Sequence, residues 1–192
     1  MRKVFYIFRH GETDLNRQKR WQGSGTNSEL NENGLKQAED LSLKLSGKNI
    51  EVIFSSPLTR AMQTAQKVSQ KTGADLVVKN DLRECFYGKA EAVESCVLEA
   101  KYPDVFKNWH NPNFWDIRFK GGESKSEVLH RVLNVLESLT LLSFDNFGVA
   151  IHGGTMGILL NHWGVNFDKI PNCAVFCLVW EDGKWQVSGD LF

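Results

Sequence analysis

Cysteine is scarce in this sequence, and its few copies are not arranged for covalent or metal chemistry. The four cysteines are Cys85, Cys96, Cys173 and Cys177, and none of them form a Cys-x-x-Cys pair. A disulfide framework or a thiolate metal cage would need more cysteines or closer spacing. We therefore expect reduced thiols, most of them packed inside the protein.

The sequence also has no excess of one charge and no long apolar run. Lys plus Arg and Asp plus Glu both number 23, so nothing favours a nucleic acid backbone or an acidic membrane surface as a partner. The apolar run at residues 4–8 is too short for a signal peptide core or a membrane span. We predict no nucleic acid partner, no membrane partner and a cytoplasmic location.

Segments with the pattern of strands alternate with segments that have the pattern of helices. The predicted strands are 3–8, 51–55, 75–79, 148–151, 174–180 and 184–187. The predicted helices are 31–47, 56–73, 124–142 and 154–163. This alternation predicts an α/β fold: a three-layer α/β/α arrangement with a mostly parallel sheet, helices on both faces and one antiparallel edge strand from the last hairpin.

The 192 residues can bury about 70% of the surface that the unfolded chain exposes, which is enough for one core. We predict a single domain over 1–192, with 85–123 as a small cap or lid insertion. That segment is irregular and rich in aromatic residues. Its aromatic residues either line a substrate mouth or simply pack onto the core, and the sequence leaves both alternatives open.

Chemically active side chains follow the predicted strands. Arg9 and His10 follow the first strand, Arg60 lies near the start of the helix after the second, Glu84 comes shortly after the third, and His152 follows the strand ending at residue 151. Ligands of open α/β sheets bind beyond the carboxyl ends of the strands. Guanidinium groups and helix amides are donors for a tetrahedral dianion, so this set predicts a phosphate pocket.

Histidines in such a pocket indicate chemistry as well as binding. An imidazole among cationic groups stays neutral at pH 7 and keeps a lone pair for attack on phosphorus. Covalent catalysis by His10 would divide the displacement into two steps. Glu84 could protonate the leaving oxygen and then activate water, or it could instead be a surface carboxylate paired with Arg83 or Lys89. Gly11, which directly follows His10, would let the backbone approach the anion closely.

Several motifs in order along the chain carry a resemblance. They are Arg9-His10-Gly11-Glu12, the segment 55–65, Leu82-Arg83-Glu84, Gly121-Gly122-Glu123-Ser124 and His152-Gly153-Gly154. Together they resemble the signature of the histidine phosphatase superfamily, also called the phosphoglycerate mutase-like family. The resemblance implies that His10 is the phosphorylated nucleophile, and that Glu84 is the proton donor. It also implies a set of phosphate ligands: Arg9, Arg60, His152 and Asn16.

Further details favour the phosphatase branch of that family. Trp21-Gln22-Gly23 resembles the Gln-Gly stretch of the phosphatases, where glycolytic mutases carry Gly-Trp-x-Asp and a longer cap. The predicted substrate or phosphate contacts are therefore Asn16, Gln22, Gly23, Gly153 and Thr155. The chain departs from the family pattern at Ala92, where glycine often ends a Trp-Glu-Gly segment, and at Gly157, where arginine is frequent.

The function predicted from the sequence is hydrolysis of a small-molecule phosphoester through a phosphohistidine. Two alternatives stay open, a phosphoglycerate mutase and a non-catalytic phosphate-binding regulatory module. A metal site from His10, Glu12, Asp14 and His152 is disfavoured because Arg9 and Arg60 would repel a cation. We predict no metal and no cofactor, and leave a homodimer open. The remaining histidines, His110, His130 and His162, are interpreted as surface or packed residues.

Overall fold

The computed structural model describes residues 1–109 and 111–189, which include a six-stranded sheet in the order β3-β2-β4-β1-β5-β6. The strands are β1 (Arg2–Arg9), β2 (Val52–Ser55), β3 (Asp75–Val78), β4 (Asn146–Ile151), β5 (Val175–Glu181) and β6 (Lys184–Ser188). The first four run parallel to one another, while β5 is antiparallel to β1 and forms a hairpin with β6. The predicted α/β fold with an antiparallel hairpin at one edge is confirmed.

Helices cover both faces of this sheet. They are α1 (Asp14–Arg17), α2 (Glu32–Leu45), α3 (Thr59–Thr72), α4 (Ser95–Lys101), α5 (Pro103–Trp109), α6 (Lys125–Thr140) and α7 (Gly153–His162). Side chains alternate across each strand, so Phe8 and Ile53 pack with α2 and α3, whereas Phe5 and Val149 pack in the larger core with α6 and α7. The central strands are therefore buried on both sides, as their apolar sequences predict.

The helix boundaries follow local capping chemistry, with some departures from prediction. Asn31 caps α2 by accepting a hydrogen bond from the Gly34 amide at 2.8 Å. Pro57, predicted in the first turn of a helix, lies two residues before α3 because Leu58 is extended and donates its N–H to Ser56 Oγ. The stretch 14–28 lies outside the predicted helices and strands, and it contains the single turn α1.

The segment 85–123 contains two short helices, α4 and α5, and a 3-10 turn at Gly88–Ala90. Tyr87, Trp109 and Phe119 from this segment are buried and pack edge to face around Trp21. Aromatic packing thus joins the segment to the core. Its assignment as a cap or lid stays a prediction.

Ala92 occupies a backbone conformation that favours glycine, with φ of 57°. We expect Ala92→Gly to raise the free energy of unfolding by up to about 1 kcal/mol, because the relieved strain of about 1–2 kcal/mol exceeds the entropic cost of the glycine, about 0.5–1 kcal/mol. Thermal unfolding measures the change. The control is Ala100→Gly, on the exposed side of α4, which should lower stability; equal losses in both variants would contradict the expectation.

The described cysteines form no disulfide: Cys85 is buried, Cys96 is exposed, and Cys173 and Cys177 are half-buried. Across residues 1–109 and 111–189, no helix combines the length and the apolar character needed to cross a membrane.

Candidate active site

The register of the parallel strands places their carboxyl ends side by side. Arg9 lies opposite Ile151, and Ala150 lies opposite Ser55. The residues that directly follow β1, β4 and β2 are His10, His152 and Ser56. These residues therefore lie together at the carboxyl ends of the strands. The two imidazole rings are 5.2 Å apart between centroids, and Ser56 Oγ lies 2.7 Å from His152 Nε2.

His10 is oriented by its own turn. It is buried, and its Nδ1 lies 2.7 Å from the carbonyl oxygen of Gly11. A carbonyl can only accept, so we place the proton on Nδ1, which leaves the lone pair on Nε2. Burial, then Arg60 and Arg9, hold the pKa of His10 well below its usual value, and the ring is neutral at pH 7.

His152 is in the same state for similar reasons. It is completely buried, and burial, then Arg60, then His10, lower its pKa well below the usual value. Since Ser56 engages Nε2, the other ring nitrogen is the one available to a ligand. Two neutral imidazoles thus lie next to each other among guanidinium groups.

Three buried side-chain nitrogens around His10 have no hydrogen-bond partner in the described part of the chain: Arg9 Nε, Arg60 Nε and His152 Nδ1. An unpaired buried donor costs about 1–3 kcal/mol. The rest of each guanidinium is held in place, with Arg9 donating to Ile170 O at 2.5 Å and Arg60 to Thr26 O at 2.7 Å. All three nitrogens belong to residues predicted as phosphate ligands, and an anion would supply the missing acceptors.

Glu84 is buried, and its carboxylate is fixed at the N-terminus of α7. It accepts hydrogen bonds from the amides of Gly154 and Thr155 and from Thr155 Oγ1, each at 2.8 Å. Helix N-termini favour negative charge. The alternative of a surface ion pair with Arg83 does not hold, since Arg83 pairs with Asp81 and Glu123.

A cavity of about 460 Å³ opens at the carboxyl ends of the parallel strands. Six of the predicted site residues line it: Arg9, His10, Asn16, Gln22, Glu84 and Gly153. The other four are buried residues that are not part of the lining: Arg60, His152, Gly23 and Thr155.

Two of these four have a supporting position instead of the predicted substrate contact. The amide of Gly23 donates to Glu91 Oε2 at 2.9 Å, and its carbonyl accepts from Arg60 at 3.1 Å. Both polar groups of Thr155 donate to Glu84. Gly23 therefore positions Arg60, and Thr155 positions Glu84.

The two predicted site residues with side-chain amides, Asn16 and Gln22, are both held by Thr13 in the loop after β1. Asn16 Oδ1 accepts from the Thr13 amide and from Asn172, which leaves Nδ2 as the group available to a ligand. Gln22 donates to Thr13 Oγ1 and accepts from Ser28, so both of its polar atoms are engaged. Asn16 is thus the better placed of the two to donate to a phosphate.

A family model described as histidine phosphatase superfamily (branch 1) matches residues 5–189. The chain belongs to the histidine phosphatase superfamily. The resemblance seen in the sequence motifs is confirmed, and with it the interpretation of the chain as an enzyme of this kind.

Relatives of this histidine phosphatase have names of two kinds. A Hydrogenobacter thermophilus protein, provisionally named phosphoserine phosphatase 2, is 31% identical over 177 residues, covering 87% of this chain and 86% of that protein. A Shigella boydii protein, provisionally named phosphoglycerate mutase GpmB, is 29% identical over 198 residues, covering 96% and 88%. The solved structure of a mycobacterial glucosyl-3-phosphoglycerate phosphatase has a TM-score of 0.86 at 23% identity, covering 97% of each chain.

Close packing explains the glycines of this histidine phosphatase. A methyl group on Gly154 would overlap with Tyr87 Oη and approach the Glu84 carboxylate, and one on Gly153 would press on the Arg9 guanidinium. Gly11 was predicted to allow close approach of the anion, but its constraint is different. A side chain there would collide with the backbone of Gly34 at the start of α2.

Sequence reasoning missed residues that act on the backbone of the site loops. Arg131 donates to the carbonyls of Arg83 and Glu84 at 2.7 and 3.1 Å, and pairs with Glu123 at 3.0 Å. Glu123 serves this pair, and the next residue, Ser124, caps α6. No spacing in the sequence reveals a contact with a distant carbonyl. Ser56 could have been predicted as a site residue, since it directly follows the predicted strand 51–55.

Other candidate residues lie elsewhere. Among the described residues, no group of three or more His, Cys, Asp and Glu side chains could hold a metal ion. Asp14 is exposed and pairs with Arg17. His130 and His162 are exposed, and His110 lies outside the described residues.

The two buried histidines predict how stability depends on pH. In the unfolded chain each takes up a proton near pH 6.5, whereas in the folded protein the lowered pKa keeps it neutral to lower pH. The unfolded state therefore binds more protons, and the free energy of unfolding falls as pH drops below about 6.5, by about 1.4 kcal/mol per pH unit for each histidine.

Denaturant unfolding between pH 7.5 and 5.5 measures this dependence. His152→Gln should flatten it, because one of the two buried imidazoles is removed. The matched control is His130→Gln, at an exposed position on α6, which should keep the slope of the unmodified protein. A slope that is the same in all three proteins would show that burial of His152 does not affect its proton uptake.

Proposed function

We propose that this protein hydrolyses phosphomonoesters of small metabolites through a phosphohistidine on His10. The observation that carries the proposal is a set of buried nitrogens, Arg9 Nε, Arg60 Nε and His152 Nδ1, that have no hydrogen-bond partner within residues 1–109 and 111–189. They lie beside the His10 imidazole, whose Nε2 keeps its lone pair. Cationic and neutral donors together match the oxygens of a phosphate dianion. A nucleophile lies within the same group.

In the first step, His10 Nε2 attacks phosphorus and the bond from phosphorus to the ester oxygen breaks. Arg9, Arg60 and His152 donate to the oxygens of the transferring group, which stabilises the charge that it carries in the transition state. Glu84 donates its proton to the departing oxygen, so that the alcohol leaves as a neutral molecule.

In the second step, water attacks the phosphorus of the phosphohistidine. Glu84, now a carboxylate, takes a proton from that water, and the bond from Nε2 to phosphorus breaks. Inorganic phosphate and neutral His10 result. The hydrogen bonds from Gly154 and Thr155 keep the carboxylate in the same position for both steps.

The substrate that fits best is a small phosphorylated metabolite. The cavity of about 460 Å³ falls within the range of about 300–1,000 Å³ that is common for small-molecule sites. Relatives carry the names phosphoserine phosphatase and glucosyl-3-phosphoglycerate phosphatase, both for phosphorylated small molecules. A relative named phosphoglycerate mutase favours the second candidate, transfer of the phosphoryl group back to a bound acid.

A panel of phosphomonoesters tests the proposal. Purified protein is assayed for free phosphate release from phosphoserine, phosphoglycerates, sugar phosphates and a nucleoside monophosphate. We expect release from at least one class, with acid-labile phosphate on the protein during turnover. Isomerisation of 3-phosphoglycerate without phosphate release would establish the mutase instead. Vanadate binding with no phosphoenzyme and no turnover would establish a non-catalytic phosphate-binding module.

Other features of the proposal come from the sequence. Two of them stay predictions: the cytoplasmic location and the absence of nucleic acid partners. The formation of a homodimer stays open. The individual roles of the site residues are also predictions.

A further inference from the structure

The cavity extends beyond the phosphate end of the site. From Arg9 and His10 it continues along the aromatic cluster that includes Trp21, Tyr87 and Trp109. One side chain in this part of the lining differs from its neighbours because it is a lysine that is almost completely buried. Lys125 is 1% exposed.

Lys125 is a buried cation that has no carboxylate partner among the residues that the structure describes. Its Nζ donates to the carbonyl of Asn111 at 2.7 Å and lies 5.3 Å from the centre of the Trp115 ring. Among residues 1–109 and 111–189, no acidic oxygen lies within ion-pair distance of Nζ, and burial lowers the pKa of the side chain. A buried charge without a counter-ion is costly.

The position of Lys125 in its helix adds to that cost. It is the first residue of α6, directly after the cap Ser124. Helix N-termini carry partial positive charge, so cations are disfavoured there and acidic residues are preferred. The position in the helix therefore gives no reason for a lysine at this residue.

Lys3 shows what a purely structural buried lysine looks like in the same fold. It is also 1% exposed, but its Nζ donates to two carbonyls, Leu142 O and Phe144 O, at 2.6 and 2.5 Å. These carbonyls lie just beyond the C-terminal end of α6, where a cation is favoured. Lys3 does not line the cavity, whereas Lys125 does.

We propose that Lys125 binds a second anionic group of the substrate, a carboxylate on the part that leaves with the ester oxygen. The substrates are then phosphorylated carboxylic acids, held by Arg9, His10 and their neighbours at the phosphate and by Lys125 at the carboxylate. Because bulk water hardly reaches Lys125, the carboxylate would approach Nζ from the cavity. The inference rests on the proposed function, since it assumes a phosphoester in this cavity.

Pairs of substrates that differ only at the carboxylate test the inference. Phosphoserine is compared with phosphoethanolamine, which lacks the carboxylate, and 3-phosphoglycerate with glycerol phosphate, which has a hydroxymethyl group in its place. We expect the protein to prefer the acid of at least one pair. Lys125→Met should reduce that preference, measured as the ratio of kcat/KM values, by about 10- to 100-fold, as expected for loss of a hydrogen bond to a charged group.

Two further measurements separate binding from a structural role. Lys120→Met removes a charge five residues away, at an exposed position outside the cavity, and should leave the preference unchanged. Thermal unfolding of Lys125→Met should show equal or higher stability, because methionine preserves the volume and removes the buried charge. A less stable variant with an unchanged preference would overturn the inference in favour of a structural lysine.

The outcomes for the unmodified protein also differ between the two proposals. Equal turnover of acid and non-acid in both pairs would overturn the role of Lys125 while leaving the phosphatase intact. No phosphate release from any of the four compounds, combined with release from a sugar phosphate, would also overturn it. No release from any phosphoester at all would remove the proposed function itself.

Discussion

Replacement of His10 by alanine is expected to lower kcat by about 10³-fold or more, in line with other deletions of a catalytic nucleophile. The expectation follows from the free Nε2 of a neutral imidazole at the exit of β1. The acid-labile phosphate that forms on the unmodified protein should be absent. Steady-state turnover and rapid acid quench of a labelled phosphomonoester measure the two effects.

Controls distinguish loss of the nucleophile from loss of the site. Vanadate or phosphate should still bind the His10→Ala variant, because Arg9, Arg60 and His152 are retained. His130→Ala, on the exposed face of α6, should keep full turnover. Undiminished turnover without His10 would exclude a phosphohistidine at this position.

Glu84→Gln is expected to produce the second large effect, and one that depends on the leaving group. General acid catalysis contributes about 10²- to 10⁴-fold, so hydrolysis of an alkyl phosphomonoester should slow by that order. Hydrolysis of p-nitrophenyl phosphate should slow much less in its first step, since nitrophenolate leaves without a proton. The ratio of the two losses, measured as kcat/KM, is the informative quantity.

Glutamine preserves the volume of Glu84 but presents an amide to the Gly154 and Thr155 N–H groups that now bind the carboxylate. Thermal unfolding therefore accompanies the kinetics, to show that α7 stays in place. Glu99→Gln, an exposed substitution on α4, is the matched control. Equal losses on both substrates would mean that Glu84 acts as a structural anchor and not as a proton donor.

The sequence was sufficient for the parts of the site that depend on strand order. Arg9 ends an apolar strand, and His10 and His152 directly follow such strands. Parallel strands have their carboxyl ends side by side, so the proximity of these residues could be predicted without coordinates. Arg60 could be placed for a similar reason, as it lies in the first turn of α3 after β2. Periodicity and capping also located α2, α3, α6 and α7 to within a few residues, but not the short helices α1, α4 and α5.

Contacts between distant backbone groups were beyond such reasoning. The roles of Gly23 and Thr155 are set by partners, Glu91 and Glu84, whose positions depend on the path of an irregular segment. The same applies to Lys125, whose sequence position suggests only an ordinary surface helix residue. Its burial follows from the aromatic segment that packs over the start of α6.

The attachment of Glu84 to α7 has a mechanical consequence. His152 immediately precedes this helix, and the first amides of the helix hold the Glu84 carboxylate. Any rotation of the Glu84 side chain would therefore have to break hydrogen bonds to the helix that begins directly after His152. Because β4, which His152 follows, pairs with β1, the two imidazoles and the carboxylate are all held by one connected frame of strands and helix.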